Sequence, residues 1–271
     1  MSGVMDEGEG WDCHVHVFDG AAPARDGHYV PPQRTLAMLD AAAEPLGVGH
    51  YVLVQPSVYG TDNRLMLEAL RAGGGRHRGV AVIGPQTTDR ELDAMHEAGV
   101  RGVRFNLVSP VGNSASDWPL LAPRLQERGW HAQWYAPASQ LNRIARLHET
   151  HRVTAVLDHL AGMTVAMLHD DMTWGALRAL ADAGAWLKLS GWYRLHSEAP
   201  FGDMVPLVER AVHLFGERCV WGSDWPHTWF LHPDSGQEPP AYADLWRPVR
   251  AALSPERARA VFETQALELY R

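Results

Sequence analysis

The stretch Trp11-Asp12-Cys13-His14-Val15-His16-Val17-Phe18 sets a carboxylate and two imidazoles at alternate positions of a short apolar run. Side chains of a β-strand alternate between faces, so Asp12, His14 and His16 are expected on one face and Cys13, Val15 and Val17 on the other. Burying such polar groups without partners is costly, so they need a metal, hydrogen bonds to one another or a water-filled pocket. An isolated His-x-His is most simply a strand with one solvated face. Here the opposite face is apolar, and a distant counterpart, Val220-Trp221-Gly222-Ser223-Asp224-Trp225-Pro226-His227, also ends in Asp and His. Together the two stretches point to one composite site.

The chain that must position them has 271 residues, 46% hydrophobic and 21% charged, which suits one large α/β domain with an ample core. The net charge of −8, with no basic patch, argues against a nucleic-acid partner. Cys13 and Cys219 form no C-x-x-C and no disulfide framework, so a reducing, cytoplasmic setting is expected. Residues 1–10 are acidic and Gly-rich; they read as a disordered or extended segment and not as a signal peptide. No apolar run is long enough to span a membrane.

Strand and helix patterns alternate along the chain. Strands are expected near 11–18, 50–55, 79–83, 102–107, 130–135, 153–158, 185–190 and 218–222. Helical spacing falls between them, at 35–46, 65–70, 89–98, up to 128, 139–150, 172–183 and 205–215, then at 241–253 and 255–270. Ser254-Pro255 supplies an N-cap followed by Pro in the first turn. Eight strand-then-helix units predict a single-domain (β/α)8 TIM barrel over 11–271, with a doubly wound open sheet as the alternative.

In such a barrel, functional groups lie at the carboxyl ends of the strands and in the loops that follow. His14 and His16 end the first strand; Ser57 and Tyr59 follow the second. Arg104 and Asn106 lie on the fourth, Gln133 and Tyr135 on the fifth, and Asp158 and His159 end the sixth. Lys188 and Ser190 end the seventh, with Arg194 close behind, and Asp224 and His227 end the eighth. Seven of eight strands ending this way is hard to explain as solvated surface. Lys188 reads equally as a site residue or as a strand residue whose amine pairs with a carboxylate. Arg104, between Val103 and Phe105, should face the barrel interior, paired with Asp12, Asp158 or a ligand carboxylate. His28, His77, His96, His148, His151, His169 and His213 fall in helices or loops and read as surface residues. Gly73-Gly74-Gly75 is a helix-ending turn, and no G-x-S-x-G elbow is present.

The ordered set Asp12-Cys13-His14-Val15-His16, Gln55-Pro56-Ser57-Val58-Tyr59-Gly60-Thr61-Asp62-Asn63, Gly102-Val103-Arg104-Phe105-Asn106, Leu157-Asp158-His159-Leu160, Lys188-Leu189-Ser190-Gly191-Trp192-Tyr193-Arg194 and Trp221-Gly222-Ser223-Asp224-Trp225-Pro226-His227 resembles the amidohydrolase superfamily, specifically the amidohydrolase-related branch of 2-pyrone-4,6-dicarboxylate lactonase and related lactonases. The closing 264–270 segment is similar too. The resemblance implies a distorted (β/α)8 barrel, hydrolysis, and a centre made of His14, His16, His159 and Asp224. In many members these residues bind a divalent metal, and three imidazoles with a carboxylate are a sensible Zn²⁺ set. The usual fifth-strand His is absent; Gln133 and Tyr135 stand near that strand's end, and His131 lies early in it. Arg104 stands in the region of the carbamylated Lys or Glu of two-metal members. A two-metal site is therefore not expected, while a metal-free site and a one-Zn site are both open.

The resulting expectation is a hydrolase of a small anionic lactone. Asp224 would be the general base for water, and His14, His16 and His159 would polarise the carbonyl. Arg104 and Arg194 would hold a carboxylate, with Ser57, Tyr59, Tyr135 and His227 around the ring. Leu107-Val108-Ser109-Pro110 replaces the further basic residues that follow R-F-N in the dicarboxylate enzyme, so a monocarboxylate, a sulfonate or a sugar lactone is the expected substrate class. A metal-dependent decarboxylase and a non-catalytic small-molecule binding protein are the alternatives, and a homo-oligomer is left open.

Overall fold

The computed structural model describes residues 9–22, 31–108, 111–231 and 238–271. The N-terminal segment expected over 1–10 lies mostly outside the described residues, as do His28 and Ser109-Pro110. Eight parallel strands follow one another around the sheet in chain order: β1 (Gly10–Val15), β2 (Val48–Val54), β3 (Arg78–Ala81), β4 (Val100–Asn106), β5 (His131–Tyr135), β6 (Ala155–Leu157), β7 (Trp186–Leu189) and β8 (Cys219–Trp221). The seam between β8 and β1 is closed by the loop beyond β8. There Asp224 N–H donates to His14 O and His16 N–H donates to Trp225 O, both at 2.8 Å. The result is a nearly closed TIM barrel. No helix among the described residues is long and apolar enough to cross a membrane.

Helices α1 (Leu36–Ala43) to α7 (Val205–Phe215) lie between the strands. Local chemistry sets their ends. Thr88 and Glu91 make a reciprocal capping box at the start of α3 (Asp89–Glu97). The 35–46 helix is shorter than its pattern, because Pro45 enters a 3-10 turn at Glu44–Leu46 and Gly47 then takes a left-handed φ of 76°. The pattern at 255–270 divides into α9 (Pro255–Phe262), capped by Ser254 as expected, and α10 (Gln265–Leu269). Before them, 241–253 folds as a 3-10 turn, Tyr242–Leu245, and a short α8 (Arg247–Ala252).

Strand alternation sorts the core into two compartments. Tyr51 and Leu53 of β2, Val103 and Phe105 of β4, Ala132 and Trp134 of β5, and Leu187 and Leu189 of β7 pack outward under the helices. Trp11, Cys13, Val52, Val54, Val80, Val156, Trp186 and Val220 point inward and meet Ala266 and Tyr270 at the end of the chain. Tyr270 stacks on Trp11, with ring centroids 6.4 Å apart. The closing segment thus plugs the amino-terminal end of the barrel.

One break in alternation matters for the site. Asp12 lies opposite Tyr51 and Val15 opposite Leu53, so β1 takes three steps where β2 takes two. This is a β-bulge, and it turns Cys13 inward below the inward-facing His14 and His16. Asp12 is therefore not on the imidazole face, contrary to simple alternation. Its Oδ1 accepts from His14 N–H and Ser223 N–H, at 3.1 and 2.8 Å, and its Oδ2 from the Tyr242 hydroxyl at 2.6 Å. Asp12 ties β1 to the β8 loop and to the chain beyond it. His77 also departs from expectation. It is buried, and its Nδ1 accepts the Tyr51 N–H at 3.2 Å.

Candidate active site

Asp224 follows β8 and is fully buried. The Tyr193 hydroxyl and Arg194 Nε both donate to its Oδ2 at 2.5 Å. Its Oδ1 faces three imidazoles: His16 Nε2 at 3.3 Å, His14 Nε2 at 3.6 Å and His159 Nε2 at 4.0 Å. Burial opposes the carboxylate's charge, yet the Arg194 guanidinium and the surrounding imidazoles outweigh it and hold Asp224 well below the usual carboxylate range. Burial lowers the proton affinity of all three imidazoles, that of His159 to about 4. Asp224, His159 and His227 take left-handed φ angles of 60°, 48° and 63°. Such strained backbone in non-glycine residues typically persists where the surroundings fix it, often at functional sites.

Each imidazole is held from its other side. His16 Nδ1 donates to Val54 O at 2.8 Å, which leaves its Nε2 as a bare acceptor in the neutral ring. His14 Nδ1 approaches Asp158 Oδ1 at 3.2 Å, and His159 Nδ1 lies 3.0 Å from Ser190 Oγ. A ring whose second nitrogen is engaged this way is the common arrangement of metal-bound histidine. His14 Nε2, His159 Nε2 and Asp224 Oδ1 are buried with no hydrogen-bond partner. Ligands about 2.0–2.1 Å from a tetrahedral Zn²⁺ lie about 3.3 Å from one another. His14, His16 and Asp224 present ligand atoms within 4.8 Å of one another, a set that fits one divalent cation, with His159 Nε2 at the wider distance of 4.0 Å from Asp224 Oδ1. A second grouping, His14, Asp158 and His159, shares two of these side chains. However, Lys188 Nζ and Arg104 Nε already stand 3.6 and 3.7 Å from the two oxygens of Asp158.

Arg104 faces the interior as alternation requires, and its partner is Asp158 rather than Asp12. Its contacts are loose: the 3.7 Å approach to Asp158 and a 3.4 Å bond to Gln55 O. Tyr135 carries Arg104 and Arg194 against its ring, 5.4 and 5.8 Å from the centroid, and meets His159 edge-on at 4.9 Å. Arg194 also donates to Thr228 Oγ1 at 2.6 Å. His227 is buried, edge-on to Tyr193 at 6.0 Å, and burial lowers its proton affinity to about 4. Ser57, half-buried, opens the 3-10 turn Ser57–Tyr59 after β2. Tyr59 is not brought to the cluster: its hydroxyl is engaged by the Asp19 main chain, and its ring packs on Phe18.

The amidohydrolase family profile matches residues 11–271. The chain belongs to the amidohydrolase family. This amidohydrolase is 34% identical over 234 residues to a 2-pyrone-4,6-dicarboxylate hydrolase of Comamonas testosteroni, covering 80% of this chain and 76% of that one. It is 31% identical over 231 residues to a 4-sulfomuconolactone hydrolase of Rhizobium radiobacter, covering 82% and 77%. A Pseudomonas putida structure carrying the name of a 2-pyrone-4,6-dicarboxylic acid hydrolase superposes with a TM-score of 0.83 at 27% identity, covering 97% of each chain.

One contributor escapes a reading by alternation. Tyr193 belongs to the 3-10 turn Trp192–Leu195 after β7, where period two no longer says which way a side chain points. Gln133 of β5 and Lys188 of β7, both named from the sequence, pair beneath the imidazoles across the intervening β6.

Proposed function

We propose that this amidohydrolase is a lactonase that opens a small cyclic ester bearing an anionic group. The observation that carries the reading is Asp224: one oxygen is clamped by Tyr193 and Arg194, and the other is aimed at three converging imidazoles. Two relatives above 30% identity, a 2-pyrone-4,6-dicarboxylate hydrolase and a 4-sulfomuconolactone hydrolase, support the same reaction class.

A divalent cation held by His14, His16, His159 and Asp224 would draw electron density from the lactone carbonyl and stabilise charge on its oxygen. The chain's own groups do the rest. Asp224 Oδ1, kept ionised at neutral pH, takes a proton from the attacking water as its hydroxyl adds to the acyl carbon. The ring C–O bond then breaks, and the same proton passes from Asp224 to the leaving oxygen. Tyr193 and Arg194 fix Oδ2, so only Oδ1 swings into use. Arg104 has donors that its protein contacts use poorly, which suits it to pair with a substrate carboxylate or sulfonate beside Tyr135. Arg194, already committed to Asp224 and Thr228, plays the smaller part in that clamp.

The test is steady-state hydrolysis of a lactone set comprising 2-pyrone-4,6-dicarboxylate, a sulfomuconolactone, a monocarboxylated lactone and neutral lactones. It would be run beside metal analysis of the purified protein. Ring opening of an anionic lactone is expected. Decarboxylation of an anionic substrate, or tight lactone binding without turnover, would overturn the reading.

A further inference from the structure

Directly beneath the imidazoles, Lys188 is completely buried and takes no part in the chemistry above. Its ammonium donates to Gln133 Oε1 at 2.6 Å and to Cys13 O at 2.8 Å. Gln133 Nε2 in turn donates to Asp158 Oδ2 at 3.0 Å. Asp158 Oδ1 then lies 3.2 Å from His14 Nδ1, an ion-pair contact rather than a hydrogen bond of good geometry, with Lys188 Nζ 3.6 Å from the same oxygen. Burying a Lys, a Gln and an Asp side by side is expensive unless each has a use or a partner. Here they form an ordered chain ending on a histidine whose other nitrogen faces Asp224 at 3.6 Å.

The order of donors and acceptors leaves little freedom. An ammonium can only donate, so Gln133 must turn its carbonyl oxygen to Lys188 and its NH2 to Asp158. A carboxylate can only accept, so its 3.2 Å contact with His14 favours the neutral ring that carries its proton on Nδ1. The Nε2 of His14 is thereby left bare and aimed into the site. Without the ammonium, the Gln133 amide could flip and present its oxygen to Asp158, and the polarity of the chain would be lost. Lys188 also holds the carbonyl of Cys13, within the bulge that brings Cys13 and His14 to the interior side.

We infer that Lys188 is a positioning residue: acting through Gln133 and Asp158, it fixes the tautomer and orientation of His14 beneath the active site. The inference rests on the lactonase reading for its kinetic test only. Partners of this kind typically change activity or metal affinity by about 10–100-fold when removed.

The experiment compares the parent protein with Lys188→Met, Gln133→Met and the double variant. Three measurements are made: lactone kinetics, circular dichroism melts, and side-chain ¹⁵N spectra of the histidines, with His14 identified by its loss in His14→Asn. The parent should show His14 as the Nδ1–H tautomer. Each single variant should lose roughly 10–100-fold in kcat with KM within about twofold, because the anionic group is held elsewhere, and His14 should become a tautomer mixture. Residues acting as one unit are non-additive, so the double variant should lose no more than the worse single one. An unchanged kcat, an unchanged His14 tautomer, or losses that multiply would overturn the inference. Gln133→Met, near in volume to the parent residue, answers the question if Lys188→Met fails to fold. If the parent opens no lactone, the lactonase reading fails while the tautomer spectra still decide the role of Lys188.

Discussion

In its apolar layer, the barrel interior holds Trp11, Cys13, Val52, Val54, Val80, Val156, Trp186 and Val220, packed with Ala266 and Tyr270 from the end of the chain. At the carboxyl end the same interior holds His14, His16, Asp158, His159, Lys188 and Asp224, all buried and all ionisable. The lower layer gains stability from burying apolar surface and asks little of geometry. In the upper layer each charge is tolerated only because a partner stands within about 4 Å of it. The contrast separates what a substitution should do in each layer: stability lost without chemistry below, chemistry lost with the fold retained above.

The largest effect should come from Asp224→Asn, in the upper layer. Losing a general base lowers kcat by about 10²–10⁴. The variant should keep its circular dichroism spectrum, and turnover within tenfold of the parent would remove Asp224 from that role. Trp11→Ala is the matching change below. Trp11 stacks on His50 at 4.8 Å and on Tyr270, so its truncation should destabilise the fold by about 3–5 kcal/mol. Denaturant melts would show this, while kcat measured well below the melting temperature should stay close to the parent value. A collapse of kcat in the still-folded variant would show that the layers are coupled.

Arg104→Met sharpens the boundary inside the upper layer. If Arg104 anchors substrate, binding of a carboxylated lactone should weaken by roughly 2–5 kcal/mol, with neutral lactones and the melting temperature little changed. Equal losses on charged and neutral lactones, with a lower melting temperature, would make it a structural partner of Asp158 instead. The smallest expected effect is a pH dependence outside the site. Burial lowers the proton affinity of His77 to about 4. The unfolded chain therefore binds a proton below about pH 6.5 that the folded chain refuses until about pH 4. The His77 contribution is full above that window, and stability falls through it as pH drops, by about 1.4 kcal/mol per unit. Melts of His77→Gln between pH 7 and pH 4 should show a shallower fall than the parent.

Much of this was legible in the sequence because period two and the end-of-strand rule are strong signals. They put His16, Arg104 and Asp224 toward the barrel interior, where their contacts lie, and eight alternating units give the barrel. Asp12 was misplaced because a one-residue bulge reverses every later side chain, and nothing in Asp12-Cys13-His14 announces it. Tyr59 looked like a site residue by position alone, whereas its hydroxyl is engaged by the Asp19 backbone. Tyr193 was invisible as an Asp224 partner because turn geometry, not sequence period, aims it. His77 read as surface because a short turn after a glycine run usually is; here its ring supplies the acceptor for a β2 amide.

The seam between the first and last strands carries one more consequence. The bonds joining Asp224 to His14 and Ser223 to Asp12 connect opposite ends of the chain, the latter across 211 positions. Asp224 therefore reaches the imidazoles only when the ring of strands has gone full circle. Contacts so distant along the chain form late, since the loop they close is the longest one available. A ribosome that has released all but the last strand has made nearly the whole barrel, yet the imidazoles still lack Asp224. Appearance of activity during refolding should accordingly mark the final event rather than the collapse that precedes it.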